Sequence, residues 1–396
     1  MTSTTIHSKF FAVFTIVLGI ATVATIVSGD MFFSLVSGVL FIAAVIMGWP
    51  NLAIYGLAFS LPFEGIPLME NLSITRFVGV GAVVVFVMLL LLRRLQVRFN
   101  SLDILVGVYF LVCVTTIFWA VNTDTAIEAA VRLAMIMVLY LILANFCVTP
   151  QRVEGVFWAY AAGAVLSIII AMVTGRAIVY GDLFRLLGTV GDPNEFVQCL
   201  SVVFPFVAFA SQGHPRRSVR IYAYVATSLF CVATILSGSR SGFLWLSIMI
   251  LVLMFHFFVR EKKFGLVLPV AVVIVVSLYL VPAGTMERLW TIVDLKSEKG
   301  VSTVERLSNY RAAWNMMLDN PMGVGLRNFK EASENYGVYQ KGIVVHNTFL
   351  EIGTGVGFVG LALFVSIIIY TLINLKNIDD AKLRISLLYG FLGYVL

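Results

Sequence analysis

The chain is dominated by continuous apolar runs that recur from one end to the other. Many of these runs approach or reach the roughly 20 residues that an α-helix needs to cross a bilayer. The runs do not alternate between apolar and polar residues, so they indicate helices and not the strands of a barrel. Hydrophobic residues make up 60% of the chain and charged residues only 12%, which excludes an ordinary soluble domain. The sequence therefore predicts an all-α, polytopic integral membrane protein.

The hydrophobic pattern divides the chain into three regions. Residues 1–283 are predicted to hold eleven transmembrane helices, 284–345 form a long polar loop, and 346–396 hold the remaining helices. About twelve or more spans are expected in total, and the last begins near Arg384, so we expect the chain to be cut short inside it. The predicted spans are 10–28, 31–48, 51–66, 74–93, 103–119, 126–148, 151–174, 192–211, 219–237, 240–259, 264–281 and 346–374.

Basic residues predict the orientation, because Lys and Arg favour cytoplasmic loops. Most Lys and Arg residues outside 284–345 fall in loops on one side of the predicted helices. The N-terminus is therefore predicted to be cytoplasmic. The segments 174–191 and 237–240, the long loop and His346 are predicted to face the opposite, outer side. The net charge of +6 is mainly a signal of this topology, and no nucleic-acid partner is expected.

An amphipathic helix is predicted at 303–320 inside the long loop. Ser302 and Glu305 have the spacing of a capping box, and Asn320-Pro321 marks the helix end. We expect this helix to lie on the membrane surface or to cap the bundle. Arg311 lies at the edge of its apolar face, where it either extends toward headgroups or points into a cavity that holds an anion. The apolar face comprises Val304, Leu307, Tyr310, Trp314, Met317 and Leu318.

His346 stands at the junction between the polar loop and an apolar run. The chain has only four histidines, and this one is predicted to meet water and a lipid headgroup together. It is either a polar residue that starts a helix or a general base, for which its near-neutral pKa is suited. The following Gly353 and Gly357 have the spacing that permits close helix contact.

Two arginines precede apolar runs on the predicted outer side. Arg185 opens a segment in which Asp192 and Pro193 have the positions of a helix cap and first turn. Arg240 lies in the short turn S237-G-S-R-S-G242, beside the start of the next helix, where backbone N–H groups suit an anion. Both residues also fit ordinary helix ends. No Cys/His spacing indicates a metal site, and no nucleotide-binding loop is present.

Together these motifs resemble the O-antigen ligase and polymerase superfamily, which consists of bacterial inner-membrane glycosyltransferases. The resemblance rests on four segments in the second half of the chain. They are R185-L-L-G-T-V-G-D-P-N, S237-G-S-R-S-G, R311-A-A-W with N-P-M-G-V-G-L-R-N-F329, and H346-N-T-F-L-E-I-G-T-G-V-G-F-V-G. The order of these segments and their shared predicted side make the combination more specific than any one of them.

The resemblance implies transfer of a glycan from an undecaprenyl-diphosphate carrier at the periplasmic face, without a metal or cofactor. His346 would activate the acceptor, and Arg185, Arg240 and Arg311 would bind the diphosphate. We expect a ligase that uses a lipid A–core oligosaccharide acceptor and inverts the configuration at the anomeric carbon. A polymerase that joins lipid-linked repeat units remains open. Transport of lipid-linked sugars and a non-catalytic scaffold are alternatives of other classes.

Overall fold

A computed structural model describes residues 17, 50–69, 72–93, 95–262, 267–290, 301–338 and 344–395. The predicted spans 10–28, apart from Val17, and 31–48 lie outside these residues. The α-helices, in chain order, are α1 Pro50–Ser60, α2 Ile74–Leu91, α3 Ser101–Thr115, α4 Thr123–Phe146, α5 Pro150–Thr174, α6 Pro193–Gly213, α7 Arg217–Leu236, α8 Arg240–Phe255, α9 Val267–Leu280, α10 Ala283–Trp290, α11 Val301–Asp319, α12 Phe329–Ala332, α13 Thr348–Asn374 and α14 Ala381–Val395.

Within the described part of the chain, 8 helices are long and apolar enough to cross a membrane. They are Ile74–Leu91, Ser101–Trp119, Thr123–Phe146, Pro150–Thr174, Pro193–Gly213, Arg217–Leu236, Arg240–Val259 and Thr348–Asn377. Each lies within a few residues of a predicted span. A mostly helical membrane protein is thus confirmed, whereas a total of twelve or more spans stays a prediction.

Two short β-hairpins interrupt the helices of this mostly helical protein, and the sequence analysis did not predict them. Strand β1, Pro67–Met69, pairs with strand β2, Leu72–Ser73. Ala177–Tyr180 pairs with Leu183–Leu186, and the two strands are called β3 and β4 below. The second hairpin forms because β-branched and aromatic residues flank a turn in which Gly181 has a positive φ of 56°.

The chain forms two compact units. The first comprises Met1–Val97 and Ile142–Gly163, and it has a core that includes Ile54, Ile142 and Phe146. The second comprises Arg98–Leu141 and Ala164–Leu396 and contains every predicted site residue. In the second unit α6 packs on α7 and α14, while α13 packs on α3 and α11. The division at 284 and 346 stays a prediction.

The described residues of the long polar segment form α10, α11 and α12. The predicted helix 303–320 corresponds to α11, whereas the side chains of Ser302, Val304 and Glu305 lie outside the described residues. Leu307, Trp314 and Leu318 form an exposed apolar stripe. Met317 is buried instead, because it packs toward Gly353 of α13. The predicted apolar face is therefore divided between an exposed stripe and an internal contact.

Helix α13 is broken at Gly357, which has φ 78° and ψ −175°. Residues 321–325 of the long segment form hydrogen bonds with the backbone of α13 at this break. Val324 N–H donates to the Thr354 carbonyl at 2.8 Å, Gly325 N–H donates to the Gly355 carbonyl at 3.0 Å, and Phe358 N–H donates to the Pro321 carbonyl at 3.0 Å. Gly353 makes the predicted close helix contact. Gly357 instead allows backbone to approach backbone, and this anchors the long segment to the bundle.

Candidate active site

Arg185 lies on β4, and the start of α10 holds that strand in place. The Thr285 hydroxyl donates to the Phe184 carbonyl at 2.6 Å and accepts from the Phe184 N–H at 2.9 Å. The Arg185 Nε donates to the backbone carbonyl of Ser237 at 3.1 Å. The guanidinium is thereby tied to the turn that precedes Arg240.

The Arg185 guanidinium has unused hydrogen-bonding capacity. Among the described residues its Nη2 is buried and has no hydrogen-bond partner. Burial lowers the pKa of Arg185, the nearby charge of Arg240 lowers it further, and Asp192 opposes both effects. A buried cationic donor without a partner is costly, and an anion bound here would satisfy it.

Arg240 is the first residue of α8, in the turn predicted from the sequence. Gly238 has a φ of 58°, which bends the chain, and Ser239 caps the helix by accepting from Gly242 N–H at 3.3 Å. The Ser239 hydroxyl also donates to Asn194 Oδ1 at 2.8 Å. That bond links the start of α8 to the first turn of α6.

The start of α6 is capped as predicted. Asp192 Oδ1 accepts from the N–H groups of Asn194 at 2.7 Å and Glu195 at 3.1 Å, and Pro193 is the first helical residue. Two helix N-termini therefore lie beside Arg185 and Arg240. Their partial positive charges add to those of the guanidinium groups and favour an anion.

His346 is held by its two neighbours in the chain. Val345 is fully buried in a cluster with Ala313 and Met316 of α11, and Asn347 caps α13 by accepting from Leu350 N–H at 3.0 Å. His346 itself is exposed and has a φ of 55°, which is uncommon for a residue other than glycine. Such backbone strain concentrates at functional positions.

Partial burial and a nearby positive charge both lower the pKa of His346. Burial of part of the ring lowers its pKa below the ordinary 6.5, the positive charge of Arg306 lowers it further, and Asp192 raises it. A neutral imidazole at neutral pH is the form that accepts a proton. The interaction with Asp192 also places His346 near the start of α6.

Arg306 was missed by the sequence analysis. This residue of α11 interacts electrostatically with both Arg240 and His346, so it belongs to the same group of charges. Its sequence position gave little signal, because an arginine on the polar side of an amphipathic helix is ordinary.

Arg311 has a different setting. Its side chain is exposed and lines a depression of about 470 Å³ together with Tyr310, Trp314, Asn315 and Leu350. Arg306, not Arg311, is the arginine of α11 that acts on Arg240 and His346. The structure therefore brings together Arg185, Arg240 and His346 of the predicted residues and adds Asp192 and Arg306.

These features define a polytopic membrane protein with a strongly cationic site where a hairpin, two helix starts and the long segment meet. Among the described residues there is no group of three or more His, Cys, Asp or Glu side chains that could hold a metal ion.

Residues 223–365 match the family model described as O-antigen ligase. This match confirms the resemblance to the O-antigen ligase and polymerase superfamily. The matched segment includes Arg240, Arg306, Arg311 and His346, whereas Arg185 and Asp192 precede it. No curated protein and no solved structure matches the chain.

Proposed function

We propose that this protein is an O-antigen ligase that transfers a glycan from undecaprenyl diphosphate to lipid A–core oligosaccharide at the periplasmic face of the bacterial inner membrane. The family match supports a glycosyltransferase-like enzyme that acts on lipid-linked glycans. The observation that carries the proposal is the grouping of one neutral histidine, His346, with Arg185, Arg240 and Arg306. The N-terminus is then cytoplasmic, as the basic loops predict.

The arginines bind the carrier diphosphate. Arg185 offers a buried Nη2 without a partner, and Arg240 stands at a helix start. Guanidinium groups suit phosphate because their planar N–H groups can contact two oxygens at once. We assign the third contact to Arg306 in place of Arg311, because Arg306 acts on both Arg240 and His346.

The same arginines favour the reaction as well as binding. Negative charge on the diphosphate grows while its bond to the anomeric carbon breaks, and the fixed cations stabilise that charge without rearrangement. This leaves no step that requires a metal ion or a cofactor in the proposed mechanism.

His346 acts as the general base. An acceptor hydroxyl oxygen attacks the anomeric carbon, its proton passes to the neutral imidazole, and the carbon–oxygen bond to the diphosphate breaks. One displacement at that carbon inverts its configuration. General-base assistance typically contributes 10²–10⁴-fold to the rate.

Two other functions are compatible with parts of the same site. A polymerase of the same superfamily would share the donor site and differ only in the acceptor. Purified donor offered with either lipid A–core or a second lipid-linked repeat unit distinguishes them, because a ligase elongates only the first. A transporter of lipid-linked sugars would have no need for His346. It would form no glycosidic bond in an assay in which donor and acceptor start on the same side of the membrane.

Purified enzyme and a transfer assay test the proposal. His346→Ala should reduce kcat by about 10²-fold or more while donor affinity is retained. Arg240→Lys keeps the charge but loses the two-point contact, so it should weaken donor binding. A His346→Ala enzyme with full activity would reject the base role, and unchanged donor affinity in Arg240→Lys would reject the diphosphate site.

A further inference from the structure

The exposed side of α11 has a group of side chains that the proposed reaction does not use. Tyr310, Arg311, Trp314 and Asn315 line a depression of about 470 Å³, which Leu350 of α13 completes. Trp314 has 52% of its surface exposed, and Arg311 and Asn315 are exposed as well. A large exposed aromatic ring beside an exposed guanidinium requires an explanation other than core packing.

The polar groups of this depression are available to a ligand. Within the described residues, the structure shows no hydrogen bond, ion pair or ring contact for the side chains of Arg311, Trp314 or Asn315. Tyr310 and Leu350 pack partly against the buried cluster that contains Val345. The floor of the depression is therefore fixed, while one indole, one amide and one guanidinium face outward.

This depression adjoins the start of α13, close in sequence to His346. Leu350 N–H donates to the Asn347 side chain at 3.0 Å, and Asn347 directly follows His346. Arg306 lies one helical turn before Tyr310 on α11 and interacts electrostatically with His346. A chain-like ligand in the depression would thus extend toward the imidazole that the proposed mechanism uses as a base.

The lining chemistry fits a sugar. The C–H edges of a pyranose ring pack on the electron-rich face of an indole, and an amide side chain can donate to and accept from sugar hydroxyls. Arg311 adds a positive charge with no acidic partner among the described residues, and a guanidinium binds a carboxylate or phosphate group at two points. Charge complementarity therefore favours an acidic sugar over a neutral one.

We propose that Tyr310, Arg311, Trp314 and Asn315 form a subsite for an acidic sugar residue of the glycan acceptor. This subsite guides the acceptor toward His346. The acidic group is a carboxylate or a phosphate on the sugar. The link to catalysis rests on the proposed function, whereas sugar binding does not.

Binding of two matched disaccharides to the detergent-solubilised full chain tests the subsite. One disaccharide carries glucuronic acid and the other carries glucose at the same position, and affinity is measured by saturation-transfer NMR. The acidic disaccharide should bind more tightly. Trp314→Ala should weaken binding of both about three- to tenfold, as expected for loss of one aromatic contact. Arg311→Gln should reduce the affinity for the acidic disaccharide to that of the neutral one.

Leu318→Ala is the matched control, because Leu318 lies on the same exposed stripe but outside the depression, and it should bind both disaccharides like the parent protein. His346→Ala should also retain binding. Loss of binding in Trp314→Ala with full transfer activity in His346→Ala would therefore reject the base role and keep the subsite.

Equal affinities in the parent, Trp314→Ala and Arg311→Gln proteins would overturn the subsite. So would a Trp314-dependent retention of phosphatidylglycerol with no effect on the disaccharides, because the depression would then be a lipid site.

Discussion

Partial burial and two opposing charges act on the protonation of His346. Partial burial lowers the pKa of the imidazole, the positive charge of Arg306 lowers it further, and Asp192 raises it. Asp192 also interacts with Arg185, so one carboxylate links His346 to a proposed diphosphate contact. A base with a lowered pKa remains unprotonated at neutral pH, at the cost of lower intrinsic basicity.

The pH dependence of transfer should report this balance. The proposed base role requires neutral His346, so kcat/KM should fall as the pH drops through a pKa below 6.5. Arg306→Gln removes a positive charge, stabilises the imidazolium and should move the fall to higher pH. Asp192→Asn keeps a helix cap but removes a negative charge, so it should move the fall to lower pH. The measurement is kcat/KM as a function of pH for the parent enzyme and the two variants. If kcat/KM falls at the same acidic pH in all three, the assignment of this fall to His346 is contradicted.

At the scale of single elements, irregular backbone positions the site. Arg185 is held by a hairpin, and the long segment is joined to α13 through the break at Gly357. Non-helical backbone at membrane depth is tolerated only where its N–H and C=O groups find partners. The three hydrogen bonds to the turn 321–325 supply those partners.

Gly357→Ala should lower stability and activity together. Alanine is strained at φ 78° and ψ −175°, and its Cβ would lie 2.3 Å from the Pro321 carbonyl oxygen. We expect a loss of roughly 1–3 kcal/mol or more, seen as a lower midpoint of thermal unfolding in detergent. Gly107→Ala is the control, because this position of α3 has no atom within 4 Å of an added Cβ and should be neutral or stabilising. Equal midpoints for the two variants would contradict the role of the break.

Thr285→Val should impair donor binding without contact between Thr285 and the donor. The change removes both hydrogen bonds to Phe184 and leaves a backbone donor and acceptor without partners, at about 1–3 kcal/mol each. The hairpin then no longer fixes Arg185, so the apparent Kd for the donor should rise. Thr227→Val, which loses only a bond within α7, should leave the Kd unchanged. A Kd unaffected by Thr285→Val would show that α10 does not position Arg185.

At the scale of the whole molecule, the sequence predicted the helices well because bilayer thickness fixes their length and composition. Spans such as 74–93 and 151–174 differ by at most two residues at either end from Ile74–Leu91 and Pro150–Thr174. The hairpin at 177–186 was missed because its strands are too short to show a clear alternation. The break at Gly357 was missed because the flanking residues remain continuously apolar.

The site residues were predictable to the extent that they interrupt an apolar pattern. Arg185, Arg240 and His346 each border a span, and the structure brings their charges together. Arg306 and Arg311 could not be distinguished from the sequence, because both lie on one amphipathic helix and only tertiary packing decides which one meets His346.

Titration of His346 tests most directly whether these distant segments form one site. The four histidines permit assignment of its NMR signal in isotope-labelled protein by comparison with His346→Ala. The pKa of His346 should lie below 6.5 in the free protein, rise in Arg306→Gln, and rise on addition of inorganic pyrophosphate, whose negative charge favours the imidazolium. A His346 pKa that responds to neither Arg306→Gln nor pyrophosphate would contradict a shared site for the base and the diphosphate.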